Sequence, residues 1–189
     1  MVKRAALKKV EPKEPLKLDL GCGTRKTPGF TGVDSIKFDG VDVVTDLRKR
    51  WPWDDGSVEE VKCSHTLEHF EQQERVHFAN ELCRVLRQGG MAQIVTPDWS
   101  HACAYGDPTH KWPPLSGWTY QYWNKGWRQS QAPHADIEHN KDGFSCDFDF
   151  SIAGSWDAWL NTRNDEMRVF AMQRYVNSYR DLIANLTKK

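Results

Sequence analysis

The run Leu16-Lys17-Leu18-Asp19-Leu20 stops abruptly at Gly21-Cys22-Gly23, and that stop constrains the chain more than any other feature. Leucines at alternate positions predict a strand. Glycines tolerate positive φ and carry no Cβ, so the backbone can turn sharply and come close to a ligand. In an α/β chain such a turn falls at the carboxyl edge of the sheet, where ligands bind. A short polar loop then leads to Phe30-Thr31-Gly32-Val33-Asp34, a second brief strand ending in an acid. A carboxylate there can accept two hydrogen bonds from a ribose diol. Thr24 to Phe30 includes Pro28 and Gly29, and a crossover helix of normal length does not fit in it. A loop is expected instead.

The remaining segments fit an α/β chain. Val41–Leu47 predicts a short third strand, and Val58–Ser64 a fourth. Glu71–Arg87 predicts an amphipathic helix with Phe78, Ala79, Leu82, Val85 and Leu86 on one face, closed by Gly89-Gly90. Met91–Thr96 predicts a fifth strand. Phe144, Cys146, Phe148, Phe150 and Ile152 alternate with polar residues, as in a half-buried strand. Met167, Phe170, Ala171, Tyr175 and Tyr179 follow helical spacing. Strands alternating with crossovers imply a mostly parallel sheet.

A length of 189 residues is enough for one domain with a real core. Met1–Pro15, rich in lysine, reads as a flexible basic tail ahead of a single domain over residues 16–189. Lys plus Arg equals Asp plus Glu at 26 each, so no global charge draws the chain to nucleic acid or an anionic membrane. No apolar run reaches membrane-spanning length, and the N-terminus lacks a signal-peptide core. The five cysteines are odd in number and form no Cys-x-x-Cys pair. Neither a disulfide framework nor a zinc knuckle is expected, and a reducing cytoplasm is the natural setting.

Leu18-Asp19-Leu20-Gly21-Cys22-Gly23 followed by Gly32-Val33-Asp34 resembles the first two motifs of class I S-adenosylmethionine-dependent methyltransferases. Asp46-Leu47 with Trp51-Pro52-Trp53 is similar to that family's third-strand motif. Ser64-His65-Thr66-Leu67-Glu68-His69 is similar to its turn after strand four, and Leu86-Arg87-Gln88-Gly89-Gly90 to its turn before strand five. Gly106-Asp107-Pro108-Thr109-His110-Lys111 resembles an element of a compact, methyltransferase-type-11-like subgroup of bacteria and phages. The resemblance implies a Rossmann-like sheet, mostly parallel with an antiparallel last strand and, here, shortened crossovers. The class closes with such a strand, which places one at about Asp181–Thr187, although Leu182, Ile183 and Leu186 would also extend a helical face. The resemblance also implies S-adenosylmethionine as cofactor. The backbone from Leu20 through Gly21 and Cys22 to Gly23 would lie along its methionine and ribose, and Asp34 would take the ribose hydroxyls. Asp46 and Leu47 would face the adenine, Ser64 would border the cofactor, and Asp19 would bond the glycine loop or the methionine ammonium.

Methyl transfer asks the protein to align acceptor and methyl, exclude water and sometimes remove a proton. His65 follows strand four, where this class faces the methyl group, and suits a general base; the alternative is a structural histidine. Glu68 and His69 can cap or orient the next helix. The segment 97–142 is an aromatic-rich insert and the least regular part of the chain. Within it Trp99–Trp127, punctuated by glycine and proline, is expected to be a fixed loop rather than helical, a lid whose rings wall the acceptor pocket, with Asp107 and His110 facing the methyl group. The histidines and cysteines fit no zinc spacing, so no metal is expected. The expected acceptor is a small molecule or one that the sequence does not identify. A nucleic-acid methyltransferase of phage type and a non-catalytic S-adenosylmethionine-binding module are the alternatives.

Overall fold

In the computed structural model, which describes residues 15–189, alternation of apolar and polar residues decides the architecture. The elements in chain order are β1 (Leu16–Leu20), β2 (Thr31–Asp34), β3 (Val43–Val44), β4 (Val58–Ser64), α1 (Gln72–Val85) and β5 (Leu86–Pro97). Then come the short helices α2 (Cys103–Gly106), α3 (Gly117–Gln121) and α4 (Lys125–Gln131), followed by β6 (Phe148–Trp156), α5 (Asp165–Arg174) and β7 (Tyr179–Lys188). The strands form one seven-stranded sheet in the order β3-β2-β1-β4-β5-β7-β6. Neighbours from β3 to β5 pair in parallel, and β7 runs antiparallel to both β5 and β6. All but Pro15 of the expected basic tail lies outside the described residues. No helix among the described residues is long and apolar enough to cross a membrane.

One face of this sheet is the core. Leu18, Leu20, Val61, Cys63, Ala92, Ile94, Leu182, Ala184 and Leu186 are all buried on it. The alternate positions are polar: Lys17, Glu60, Lys62, Gln93 and Asn185. Lys17 pairs with Glu60 at 2.7 Å, and Gln93 Nε2 donates to Asn185 Oδ1 at 3.0 Å. Parallel sheets are usually covered on both faces and read as continuous apolar runs. Here the first crossover is a loop, as its length predicts, and no helix lies between β1 and β2. The polar alternation is the consequence.

The covered face meets α1 and the segment after β5. Phe78, Ala79, Leu82 and Val85 of α1 are fully buried. Phe78 packs edge-on to Trp51, with ring centroids 5.2 Å apart, and lies 6.4 Å from Trp123, which in turn meets Phe148 at 6.2 Å. The carboxylate of Glu81 accepts from the Trp51 backbone N–H at 2.7 Å, and Arg84 donates to the Trp51 carbonyl at 3.0 Å. Helix α1 thus fixes the loop after Leu47.

Several expected boundaries move, each for a local reason. The third strand shrinks from Val41–Leu47 to Val43–Val44, because only Val33 and Asp34 of the short β2 offer pairing partners. Helix α1 ends at Val85, ahead of the Gly89-Gly90 pair; Leu86 is already extended and pairs with Val58. The glycines instead form an irregularity within β5, where the pairing jumps from Val58↔Leu86 to Glu60↔Met91. The alternation at Phe144–Ile152 becomes strand only from Phe148. Tyr179, expected on a helix, opens β7 opposite Trp156. The last strand does form, over Tyr179–Lys188.

The segment 97–142 departs most from expectation, since it contains three short α-helices. Asn124 caps α4 by accepting from Trp127 N at 2.9 Å. Arg128, with a fully buried side chain, pairs with Asp136 at 3.0 Å and donates to the carbonyls of Tyr122 (2.7 Å) and Cys146 (2.9 Å). This guanidinium ties α4, the Asp136 turn and the entry to β6 together. Removing one partner of a buried ion pair leaves the other charge uncompensated. Arg128→Met should therefore lower unfolding stability by about 3–5 kcal/mol, read as a fall in the urea midpoint. Arg128→Met/Asp136→Asn should lose less, and equal stability of Arg128→Met and wild type would contradict this account.

Candidate active site

The carboxyl ends of β1, β2, β3, β4 and β5 share one edge, and because β7 is antiparallel its first residues reach the same edge. Two clefts open there. The first, of about 310 Å³, is lined by residues that include Gly21, Asp34, Thr45, Asp46, Leu47, His65 and Thr66. The second, of about 700 Å³, is lined by residues that include His65, Pro97, Cys103, Asp107, His110 and Asp181. His65 borders both.

The floor of the first cleft follows from backbone geometry. Gly21 has φ +70°, and a Cβ there would stand 2.0 Å from Thr66 Oγ1. Its N–H donates to Val33 O at 2.8 Å, which ties the end of β1 to β2. Asp34 Oδ2 accepts from Gly23 N at 2.9 Å and Oδ1 from Ile36 N at 3.1 Å. A carboxylate has about four lone-pair sites, so Asp34 can accept further bonds from the cleft. Asp46 binds the Arg48 backbone N–H at 3.0 Å and its Nε at 2.8 Å. The Arg48 guanidinium holds the Asp46 carboxyl below its ordinary value. Leu47 is buried beside it.

Asp19, Leu20, Cys22, Gly23 and Ser64 do not line the cleft. Leu20 points into the core. Asp19 Oδ2 accepts from Thr27 N at 2.6 Å and so pins the loop that replaces the first crossover helix. The Cys22 thiol is turned toward Gly32, and burial pushes its pKa up. The Gly23 N–H is held by Asp34, and Ser64 is exposed. Thr45, Thr66, His69 and Phe70 line the first cleft without having been expected there. Thr66, His69 and Phe70 neighbour the motif at Ser64-His65, which is the local signal that points to them.

The three expected catalytic residues, His65, Asp107 and His110, meet at the second cleft. His65 is in the left-handed region at φ +52°, which costs a non-glycine residue about 1–3 kcal/mol and persists only where its surroundings hold it. Its N–H donates to Val95 O at 2.9 Å. Its Nδ1 lies 3.3 Å from Glu68 Oε1, and its Nε2 lies 3.9 Å from Asp181 Oδ1. The Glu68 carboxylate, opposed in part by burial, raises the His65 pKa. Asp107 accepts from the Thr109 hydroxyl at 2.7 Å and its N–H at 2.8 Å, and these bonds hold its pKa low. His110 Nε2 is 3.8 Å from Asp107 Oδ2.

Aromatic rings do not wall this second cleft, contrary to expectation. Tyr120 and Trp123 are fully buried in the core, while Trp99, Tyr105, Trp112 and Trp118 are exposed. The sheet beyond β5 needs an apolar cover, and the buried rings supply it. Glu68 and His69 do not cap α1 either; Glu71 and Glu74 form its capping box.

Residues 18–94 match the model of the family described as "Methyltransferase domain". A search of the curated proteins gives no match. Among solved structures, a SAM-dependent methyltransferase from Archaeoglobus fulgidus aligns over 92% of this chain and 86% of its own, at 18% identity and TM-score 0.61. A provisionally assigned S-adenosylmethionine-dependent methyltransferase from Listeria monocytogenes aligns over 93% of this chain and 92% of its own, at 14% identity and TM-score 0.53. A provisionally assigned methyltransferase solved with the Haloferax volcanii Trm112 activator aligns over 94% of this chain and 84% of its own, at 16% identity and TM-score 0.52. The family model covers the sheet from β1 into β5, and the solved structures share the fold of this chain.

The contact at Gly21 gives a direct test of the cleft floor. Gly21→Ala adds a Cβ at positive φ against Thr66 and should destabilise the protein by about 1–3 kcal/mol. Thr66→Ala in that background should return part of the loss. A Gly21→Ala melting curve identical to wild type would contradict the geometry.

Proposed function

We propose that the protein transfers a methyl group from S-adenosylmethionine to a small molecule held in the second cleft. The observation that carries this reading is the shared wall: His65 borders both clefts, so a methyl group delivered from one can meet an acceptor in the other. In this reading Asp34 takes the ribose hydroxyls, Asp46 and Leu47 flank the adenine, and the turn at Gly21 lets the backbone approach the sulfonium side. Asp19 and Gly23 act through the loop they hold rather than by contact.

S-adenosylmethionine supplies the methyl on a good leaving group, so the chain's own residues align, desolvate and manage protons. His65 stands where it can orient the acceptor or take its proton, and Asp107 and His110 line the same cleft. Arg180 and Asp181 add one charge of each sign, which suits a polar acceptor of modest size. The second cleft is not a basic groove, so it offers no track for a nucleic-acid backbone.

Isothermal titration tests the cofactor half of the proposal. S-adenosylhomocysteine should bind the purified protein, and Asp34→Ala should weaken that binding by about 1–3 kcal/mol through loss of charge-assisted hydrogen bonds. Absence of binding at millimolar ligand, or an Asp34→Ala variant with wild-type affinity, would sink the reading.

A further inference from the structure

We propose that Glu68, His69 and His110 form a binding site for a divalent transition-metal ion such as Zn²⁺, set in the partition between the two clefts. One donor atom from each of the three residues lies within 4.8 Å of the others. His69 borders the first cleft and His110 the second. The proposal is independent of methyl transfer.

The first argument comes from Glu68. Its side chain is only about 5% exposed, and neither buried carboxylate oxygen has a hydrogen-bond partner. A buried carboxylate is held in native structures by hydrogen bonds, a paired charge or a metal. His65 Nδ1, 3.3 Å from Oε1, lacks hydrogen-bond geometry and offers a paired charge only when the imidazole is protonated. Arg75 is close, but its Nη1 and Nη2 are directed at the backbone carbonyls of Pro113 (2.5 Å), Lys111 (2.9 Å) and Glu68 (3.4 Å), and its buried Nε makes no hydrogen bond to the carboxylate.

The second argument comes from the two imidazoles. The Thr109 hydroxyl donates to Asp107 Oδ1 at 2.7 Å, so its oxygen is left to accept from His69 Nδ1 at 3.1 Å. His110 Nδ1 faces the Ala104 carbonyl at 3.2 Å, which can only accept. Both networks assign the ring proton to Nδ1 and leave the Nε2 lone pair free. A ring proton donated to a carbonyl, or to a hydroxyl backed by a carboxylate, is the outer-shell arrangement of metal-binding histidines. The Asp107-Thr109 pair therefore gains a role as the support of His69.

The third argument is preorganisation. The Lys111 N–H donates to the Glu68 carbonyl at 2.8 Å, and Arg75 donates to the carbonyls of Lys111 and Pro113. The loop that bears His110 is thereby fastened to the turn that bears Glu68 and His69. The two rings already touch edge-on, with centroids 4.9 Å apart. Zinc bonds of about 2.0–2.2 Å bring tetrahedral donors to roughly 3.4 Å of one another, a closure that side-chain rotation can supply. Two imidazoles with one carboxylate suit zinc and its neighbours rather than Mg²⁺ or Ca²⁺, which take oxygen donors. Three protein ligands leave an open coordination position at the clefts.

The full-length protein, stripped with a chelator and dialysed, should be titrated with Co²⁺ followed by visible absorption and with Zn²⁺ by calorimetry. One equivalent should bind per chain. His69→Ala, His110→Ala and Glu68→Gln should each weaken binding by more than about tenfold, since losing even an outer-shell partner costs about that much. Thr109→Ala should weaken it by about tenfold, and His139→Ala should leave it unchanged. Circular dichroism checks that each variant is folded; should Glu68→Gln unfold, the two histidine variants decide. Failure to bind either ion, or binding indifferent to both histidine variants, would overturn the proposal.

Discussion

Gly21 can lie against Thr66 only because it has no side chain; a Cβ there would fall 2.0 Å from the Thr66 hydroxyl oxygen. The ends of β1 and β4 close onto each other at this point, and much of the site follows from that closure. The backbone of Gly21 becomes the floor of the first cleft. The residue before Thr66 is His65, which leaves β4 in a left-handed conformation and becomes the wall between the clefts. Leu67–His69 then turns as a short 3₁₀ segment before α1 begins. Glycine's freedom at one position thus propagates into the placement of an imidazole, a carboxylate and a second imidazole.

The fold was legible where burial on a single face leaves a period-two mark. Leu16-Lys17-Leu18-Asp19-Leu20 announces a half-buried strand, and the sheet face bearing Lys17, Glu60, Lys62, Gln93 and Asn185 explains why. Leu182, Ala184 and Leu186 alternate too, but Leu182, Ile183 and Leu186 also fit a helical face, so there the resemblance decided for the strand. The missing crossover helix was readable from Pro28 and Gly29 and from the length of the segment. Less legible was anything set by tertiary partners. Tyr179 has helical spacing from Tyr175, yet it packs on Trp156 with centroids 4.8 Å apart and opens β7. The tryptophans after Pro97 carry no mark of which way they face; Trp123 serves the core and Trp112 faces solvent.

The site divides along the same line. Asp34, Asp46 and His65 end strands or follow them directly, so their place at the sheet edge could be read locally. Arg180 and Asp181 reach the second cleft because β7 is antiparallel and begins at that edge; their neighbours in the chain give no hint of it. The Glu68-His69-His110 cluster joins residues 42 apart at its extremes and exists only because Arg75 and Lys111 fasten two loops. Spacing rules for zinc look for ligands close in sequence, and this set escapes them. Asp107 and His110 were both expected to face the methyl group; they line the second cleft together, although Asp107 is engaged chiefly with Thr109.

The central claim is that the two clefts separated by His65 hold the donor and the acceptor of one reaction. A crystal structure of the protein with S-adenosylhomocysteine tests it most directly. The account predicts the ribose within hydrogen-bond distance of Asp34, the adenine beside Asp46 and Leu47, and the sulfur on the His65 side, open to the cleft of Asp107 and His110. A ligand bound elsewhere, or one whose sulfur is shut off from His65 and the second cleft, would contradict it.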